Sequence, residues 1–152
     1  MSLTIRPMTI DDLPDLHRLL SDASVMRYLE PPFSMEQTIE FLHHAGLSDS
    51  PLVYAVEDDR HSWIGYAIFH DYDDHSKEIG WVLEPRCWGK GFAQQITRLL
   101  ERAAFAEGKD AVLECAPEQE ITRHIACKLG FLQEASQNGC LVYRKAWEGD
   151  AE

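Results

Sequence analysis

The sequence contains no long apolar segment. None of its hydrophobic runs approaches the roughly 18 residues that a membrane-spanning helix needs. The first residues, MSLTIRPMTIDDL, lack the basic stretch followed by an apolar one that is typical of a secretion signal. We therefore expect a soluble, cytoplasmic protein without a membrane partner. At 152 residues, 45% of them hydrophobic, the chain has the size of one compact domain, and we expect 1–152 to fold as one.

Positive charge is also scarce. Lysine and arginine number 14 against 26 aspartates and glutamates, which gives a net charge of −12. Nucleic-acid binding relies on basic side chains that neutralise phosphates, so this balance argues against a nucleic-acid partner. The acidic excess mildly favours a cationic partner such as an amine, although solubility alone is the safer explanation of it.

The four cysteines form no C-x-x-C pair. Cys87, Cys115, Cys127 and Cys140 are widely spaced, and disulfides are not expected in a reducing compartment. His124 and Cys127 would share a helix face, but two ligands do not make a zinc site. No metal site is predicted.

Hydrophobic periodicity and turn residues predict elements in the order β-α-α-β-β-β-α-β-α-β-β. Short polar turns between the three central strands favour an antiparallel meander. The predicted elements are strand 3–8, helices 9–22 and 34–46, strands 51–58, 62–70 and 77–84, a helix at about 91–107, strand 111–116, helix 118–130, and strands 131–135 and 140–147.

The stretch PRCWGKGFAQQ (85–95) places two glycines, Gly89 and Gly91, where a helix is about to begin. The first turn of a helix has amides without internal partners and the positive end of the helix dipole. Glycines leave room for a bulky anion, so a phosphate or diphosphate is the natural ligand there, with Lys90 at its rim. A tight strand-to-helix turn would also explain both glycines. The stretch is neither a complete G-x-G-x-x-G fingerprint nor a Walker loop.

Two motifs carry a family resemblance. EPRCWGKGFA resembles the acetyl-CoA loop of the GNAT N-acetyltransferase superfamily, [Q/R]-x-x-G-x-[G/A], with Arg86, Gly89 and Gly91 at the matching positions. TRHIACKLGFLQE resembles the second motif of the superfamily, a helix that ends in K-L-G-F before a strand. EIGWVLEPRCWGKG is similar in detail to the Rim-type branch, which acetylates protein N-termini and various small amines. Together with the element order, the motifs cover nearly the whole chain.

The resemblance implies a fold and an activity. The fold is the GNAT fold, an α+β (three-layer α/β) arrangement in which a mixed, mostly antiparallel sheet of about seven strands is flanked by about four helices. The activity is acetyl transfer from acetyl-CoA to a primary amine by direct attack in a ternary complex, without a metal. The amine is a protein or peptide N-terminus or a small amine. A non-catalytic acyl-CoA-binding or regulatory module is the alternative, and both monomer and homodimer remain open.

The resemblance also assigns residues that bind the coenzyme. Strand 77–84 is expected to part from strand 111–116, so that backbone amides of Val82 and Leu83 face pantetheine and the acetyl oxygen, where one would act as oxyanion donor. Gln119 and Thr122 stand where relatives often carry Asn-x-x-Ser, and both keep hydrogen-bonding capacity toward the coenzyme. The diphosphate is expected on the backbone amides of Trp88, Gly89, Lys90, Gly91, Phe92 and Ala93.

Candidates for proton transfer come from the two central strands. An ammonium is not a nucleophile, so the amine must lose a proton, and Glu78 is the first candidate base because it shares a sheet face with Gly80 and Val82. Glu114 on the neighbouring strand is the second. Either carboxylate could equally be a solvated or structural charge. No general acid is predicted, since Ala126 occupies the position where many relatives carry a tyrosine, and a thiolate leaves readily near neutral pH.

Overall fold

A seven-stranded mixed sheet forms the centre of the computed structural model, which describes residues 2–134, 136 and 138–149. The strands are β1 (Thr4–Arg6), β2 (Val53–Glu57), β3 (Trp63–Asp73), β4 (Ser76–Leu83), β5 (Asp110–Cys115), β6 (Leu132–Gln133) and β7 (Leu141–Lys145). Their order in the sheet is β1-β2-β3-β4-β5-β7-β6, and only the β4–β5 pair is parallel. The predicted mixed, mostly antiparallel sheet is confirmed.

Five α-helices are present within the described residues, one more than predicted: α1 (Leu13–Leu20), α2 (Ala23–Met26), α3 (Met35–Phe41), α4 (Phe92–Ala106) and α5 (Glu120–Lys128). The additional helix is α2, a single turn whose N-terminal amides bond to the Asp22 carboxylate. None of these helices is long and apolar enough to cross a bilayer.

Local hydrogen bonds start the first helical segments, near the predicted starts at 9 and 34. Thr9 and Asp12 form a capping box around a 3-10 turn that leads into α1, and Ser34 and Gln37 form a second box at α3. The helix predicted over 34–46 is α3 continued by a π-helical turn. These boxes satisfy amides that would otherwise have no partner.

The sheet separates two hydrophobic clusters, which gives the predicted three layers. α4 and α5 cover one face with side chains such as Ile96 and Ile125, and α1 to α3 cover the other with side chains such as Leu16 and Met26. Alternation along β4 turns Ile79 and Leu83 toward α4 and turns Glu78, Gly80 and Val82 toward the second face, which we call the α1–α3 face.

The predicted C-terminal hairpin forms as β6 and β7. Leu132 pairs with Arg144, and Gln133 pairs with Tyr143. Both strands are shorter than the predicted ranges 131–135 and 140–147, and residue 135 lies outside the described residues.

Candidate active site

Two parallel strands part at the centre of the sheet. β4 and β5 pair only through Ser76 with Asp110, Lys77 with Ala111, and Glu78 with Val112. Beyond Glu78, β4 continues on β3 as far as Leu83, while β5 continues on β7 as far as Cys115. The carboxyl halves of β4 and β5 therefore share no hydrogen bonds, and a gap opens between them.

Backbone direction decides which amides of β4 face this gap. The Glu84 amide donates to the Ile64 carbonyl of β3 at 2.9 Å, whereas the Asp110 amide donates to the His75 carbonyl at 2.9 Å. N–H directions alternate along a strand, so even-numbered positions of β4 bond to β3 and odd-numbered positions face β5. The Leu83 amide thus faces the gap. The Val82 amide, at an even-numbered position, points to β3 instead.

The segment between β4 and α4 leaves a run of backbone amides free. The amide of Trp88 is engaged, since it donates to the Pro85 carbonyl at 3.1 Å across a 3-10 turn. The amides of 89–91 donate to no oxygen among the described residues. Phe92 and Ala93 lie in the first turn of α4, where amides have no helical partner. Of the amides predicted to bind the diphosphate, that of Trp88 is therefore already engaged, whereas those of 89–93 have no partner among the described residues.

Both glycines of this segment adopt left-handed backbone conformations. Gly89 has φ +73° and Gly91, the N-cap of α4, has φ +84°. A Cβ placed on either glycine would meet no atom within 4 Å. The positive φ explains the choice of glycine, and the open space beside free amides at the positive end of a 15-residue helix fits a diphosphate.

Arg86, the basic residue of the motif, is engaged within the protein. Its Nε donates to Glu84 Oε2 at 2.6 Å, and its Nη2 donates to the Trp63 carbonyl at 2.8 Å. The other oxygen of Glu84 accepts from Arg18 Nη2 of α1 at 2.5 Å. Glu84 is only 4% exposed. This buried carboxylate ties the segment to β3 and α1, a role that the sequence reasoning missed although an acidic residue stands there at the end of a buried strand.

The side chains of Trp88 and Lys90 lie on different sides of the same segment. The Trp88 indole, 48% exposed, donates from Nε1 to the Leu83 carbonyl at 3.0 Å and so covers the end of the gap. Lys90 lines a separate cleft of about 480 Å³ together with Arg60 and Arg86. The place of Lys90 at the rim of a diphosphate site stays a prediction.

The start of α5 carries the other two predicted contacts. Gln119 is the N-cap of α5, and its Oε1 accepts from the Ala116 amide at 2.8 Å. That bond closes the turn after β5, so the Gln119 side chain is already engaged. Thr122 is half-buried in the first turn of α5. Ala126 is fully buried in the core below α5.

The two predicted carboxylates lie on the α1–α3 face, close to where β4 and β5 part. Glu78 pairs with His70 on β3 and with Val112 on β5, and Glu114 follows two positions after Val112 on the same face. Burial raises the pKa of Glu78 above its ordinary value; His70 lowers that pKa and Glu114 raises it further. A raised pKa brings a carboxyl group nearer to the range in which a general base works at neutral pH.

A cleft of about 510 Å³ opens where β5 ends. One wall is the segment after α1, with Tyr28 and the dipeptide Pro31–Pro32, and the other wall is Ala116 with Glu118. The segment after α1 therefore lines an open cleft beside the end of β5.

Comparison with known proteins agrees with this geometry. A sequence profile of the acetyltransferase (GNAT) domain family matches residues 2–132. The uncharacterised N-acetyltransferase YnaD of Bacillus subtilis (strain 168) is 26% identical over 149 residues, which cover 95% of this chain and 88% of that protein. A GNAT-family acetyltransferase from Bacillus anthracis superposes with a TM-score of 0.86 at 25% identity, covering 97% of this chain and 96% of the other.

A third similarity is to a structure with bound ligands. Spermidine N-acetyltransferase from Vibrio cholerae, in complex with CoA and spermine, superposes with a TM-score of 0.76 at 24% identity, covering 93% of this chain and 92% of that one. The chain belongs to the acetyltransferase (GNAT) domain family. It is an N-acetyltransferase.

Proposed function

We propose that this enzyme transfers the acetyl group of acetyl-CoA to a primary amine by direct attack in a ternary complex. The observation that carries the proposal is the run of free amides at 89–93, with two left-handed glycines, beside the gap between β4 and β5. A solved structure of similar fold was crystallised with CoA and spermine, which supports both the coenzyme and an amine acceptor.

The chain's own groups perform the binding. The amides of 89–93 hold the diphosphate through charge-assisted hydrogen bonds, and the dipole of α4 adds to the attraction. When bound, acetyl-CoA supplies an activated acetyl thioester. The Leu83 amide faces the gap and donates to the acetyl oxygen as negative charge develops on it. Thr122 at the start of α5 is a candidate for a further side-chain contact.

Glu78 supplies the base. Its carboxylate takes the proton of the attacking amine, directly or through one water, because an ammonium has no lone pair with which to attack. Glu114 is the second candidate, two positions along the neighbouring strand on the same face. The thiolate of CoA needs no dedicated acid, since thiols are far more acidic than alcohols or amines (about 8.5 for the pKa of cysteine) and their thiolates leave readily near neutral pH.

The acceptor is a protein or peptide N-terminus, as in the Rim-type branch that the stretch EIGWVLEPRCWGKG resembles, or a small amine. The net charge of −12 and the carboxylates on the α1–α3 face favour a cationic acceptor. The proposal places the enzyme in the cytoplasm, as a monomer or homodimer.

A thiol-release assay tests the proposal. Acetyl-CoA is offered with a panel of amines that includes spermidine, amino acids and N-terminal peptides, and CoA release is followed together with calorimetric binding of acetyl-CoA. We expect binding, and acceptor-dependent release with at least one amine. Binding without release from any amine would support the non-catalytic coenzyme-binding module instead, and failure to bind would reject both.

A further inference from the structure

His70 lies directly opposite Glu78 in the sheet. The two residues are register partners in β3 and β4, so their side chains share the α1–α3 face. His70 Nε2 lies 3.8 Å from Glu78 Oε1, and the side chains are 25% and 24% exposed. The imidazole is therefore next to the proposed base, and it retains access to solvent.

The second ring nitrogen of His70 determines which tautomer is present. Nδ1 lies 3.0 Å from the Asp71 carbonyl oxygen. A carbonyl oxygen only accepts hydrogen bonds, so Nδ1 carries the hydrogen and donates it. In the neutral ring the lone pair is then on Nε2, the nitrogen that faces Glu78.

The other titratable and charged groups near Glu78 are not placed to accept a proton from it. Glu114 faces it from β5 and raises its pKa, as a second negative charge does. Tyr72, further along β3, has its own pKa raised by burial and by Glu114 and Glu78, so it stays protonated. Arg144 of β7 is engaged with carboxylates. Among the described residues of these strands, His70 is the neutral base whose lone pair faces Glu78.

We propose that His70 is a positioning residue for Glu78, whose Nε2 receives the proton that Glu78 takes from the acceptor amine. The inference rests on the proposed function. The amine nitrogen forms its bond to the acetyl carbon, the carbon–sulfur bond breaks, and the electron pair leaves on sulfur. The amine proton moves to the Glu78 carboxylate and then to Nε2, and the imidazolium releases a proton to solvent, which restores both groups.

The 3.8 Å separation is longer than a hydrogen bond, so the transfer requires a small rotation of one side chain. Such contacts often tighten only when substrate is bound. The chain also offers a matched control pair: His61 Nδ1 lies 3.7 Å from Glu57 Oε1, but the His61 side chain is 85% exposed and belongs to the turn after β2.

The first test needs no acceptor. In the full-length protein, ¹⁵N NMR of the His70 ring should show the hydrogen of the neutral ring on Nδ1, and ¹³C NMR should follow the titration of the Glu78 carboxyl group. A protonated His70 lowers the Glu78 pKa, so His70→Gln should move the Glu78 midpoint to higher pH, whereas His61→Gln should not. A neutral ring protonated on Nε2, or an unmoved midpoint in His70→Gln, would overturn the inference.

The second test follows kcat/KM against pH with acetyl-CoA and an amine that the thiol-release panel identifies. His70→Gln should shift the acid limb to higher pH and lower the plateau by roughly tenfold, a modest part of the ~10²–10⁴-fold that positioned proton transfer contributes. His61→Gln should match the wild type. In a Glu78→Gln background the effect of His70→Gln should vanish, because the two groups act as a unit.

The outcomes separate the inference from the proposed function. If Glu78→Gln leaves kcat/KM unchanged, Glu78 is not the base and the proposed mechanism fails. If Glu78→Gln slows the reaction but His70→Gln changes neither the acid limb nor the plateau, only the role of His70 fails. If no amine is acetylated, the proposed function fails, and the NMR titration still decides whether His70 and Glu78 are coupled.

Discussion

Replacing Gly91 by alanine should separate folding from coenzyme binding. Gly91 has φ +84°, and an added Cβ would meet no atom within 4 Å. The folded protein therefore suffers no clash, only the left-handed strain of an L-residue, about 1–2 kcal/mol. For a chain of this length that strain lowers Tm by roughly 2–8 °C, because each kcal/mol shifts Tm by about 2–4 °C.

Coenzyme binding should fall much further than stability. The new methyl group stands in the open space that the diphosphate is proposed to occupy, and it pushes the anion away from the amides of 89–93. A hydrogen bond to a charged group contributes about 1.5–3 kcal/mol. Losing one such bond raises the Kd for acetyl-CoA by roughly 10- to 100-fold. Isothermal titration calorimetry measures that change, and differential scanning calorimetry measures Tm.

Gly139 provides the matched control. It has φ +80° in the turn before β7, and a Cβ there would also meet nothing within 4 Å. Gly139→Ala should cause a similar loss of Tm and leave the affinity for acetyl-CoA unchanged. Wild-type affinity in Gly91→Ala, or equal weakening in both variants, would refute the reasoning.

Three further substitutions test the surroundings of the site. Glu84→Gln should lower the free energy of unfolding, measured in urea, by about 1–3 kcal/mol. This lies between the cost of losing an exposed ion pair and that of breaking a buried one, because the two arginine partners of Glu84 can turn to water. An unchanged free energy of unfolding would contradict the anchoring role of Glu84. Bonds from Ser76 and the neighbouring amide, with help from an arginine, lower the pKa of Asp73 from 3.8 to about 2. The ionised Asp73 therefore stabilises the fold fully well above pH 3.8, and this stabilisation is lost as the pH falls toward 2. In Asp73→Asn the unfolding midpoint should depend less steeply on pH over that range than in the wild type. An equally steep dependence would count against this role of Asp73. Ala126→Tyr should destabilise the protein by about 1–3 kcal/mol through overpacking of the core, and it should not raise kcat. A higher kcat would show that the absence of a general acid at this position limits turnover.

The features that the sequence predicted well depend on residues close together in the chain. The helices predicted from 9 and 34 begin at capping boxes that join residues three apart, and the predicted turn into a helix at Gly89 and Gly91 uses left-handed conformations that few other residues adopt. Strand alternation likewise placed Glu78 on the same face as Val82, since side chains change faces at every residue.

Long-range pairing decided the rest. Which amides of β4 face the gap depends on the phase of its hydrogen bonds to β3, and that phase turns the Leu83 amide toward the gap and the Val82 amide toward β3. Glu84 meets Arg18 across 66 positions of sequence, a distance over which local pattern carries no information. His70 reads as a surface histidine in the sequence. Only the register of β3 on β4 brings it opposite Glu78, because cross-strand neighbours are set by pairing and not by spacing along the chain.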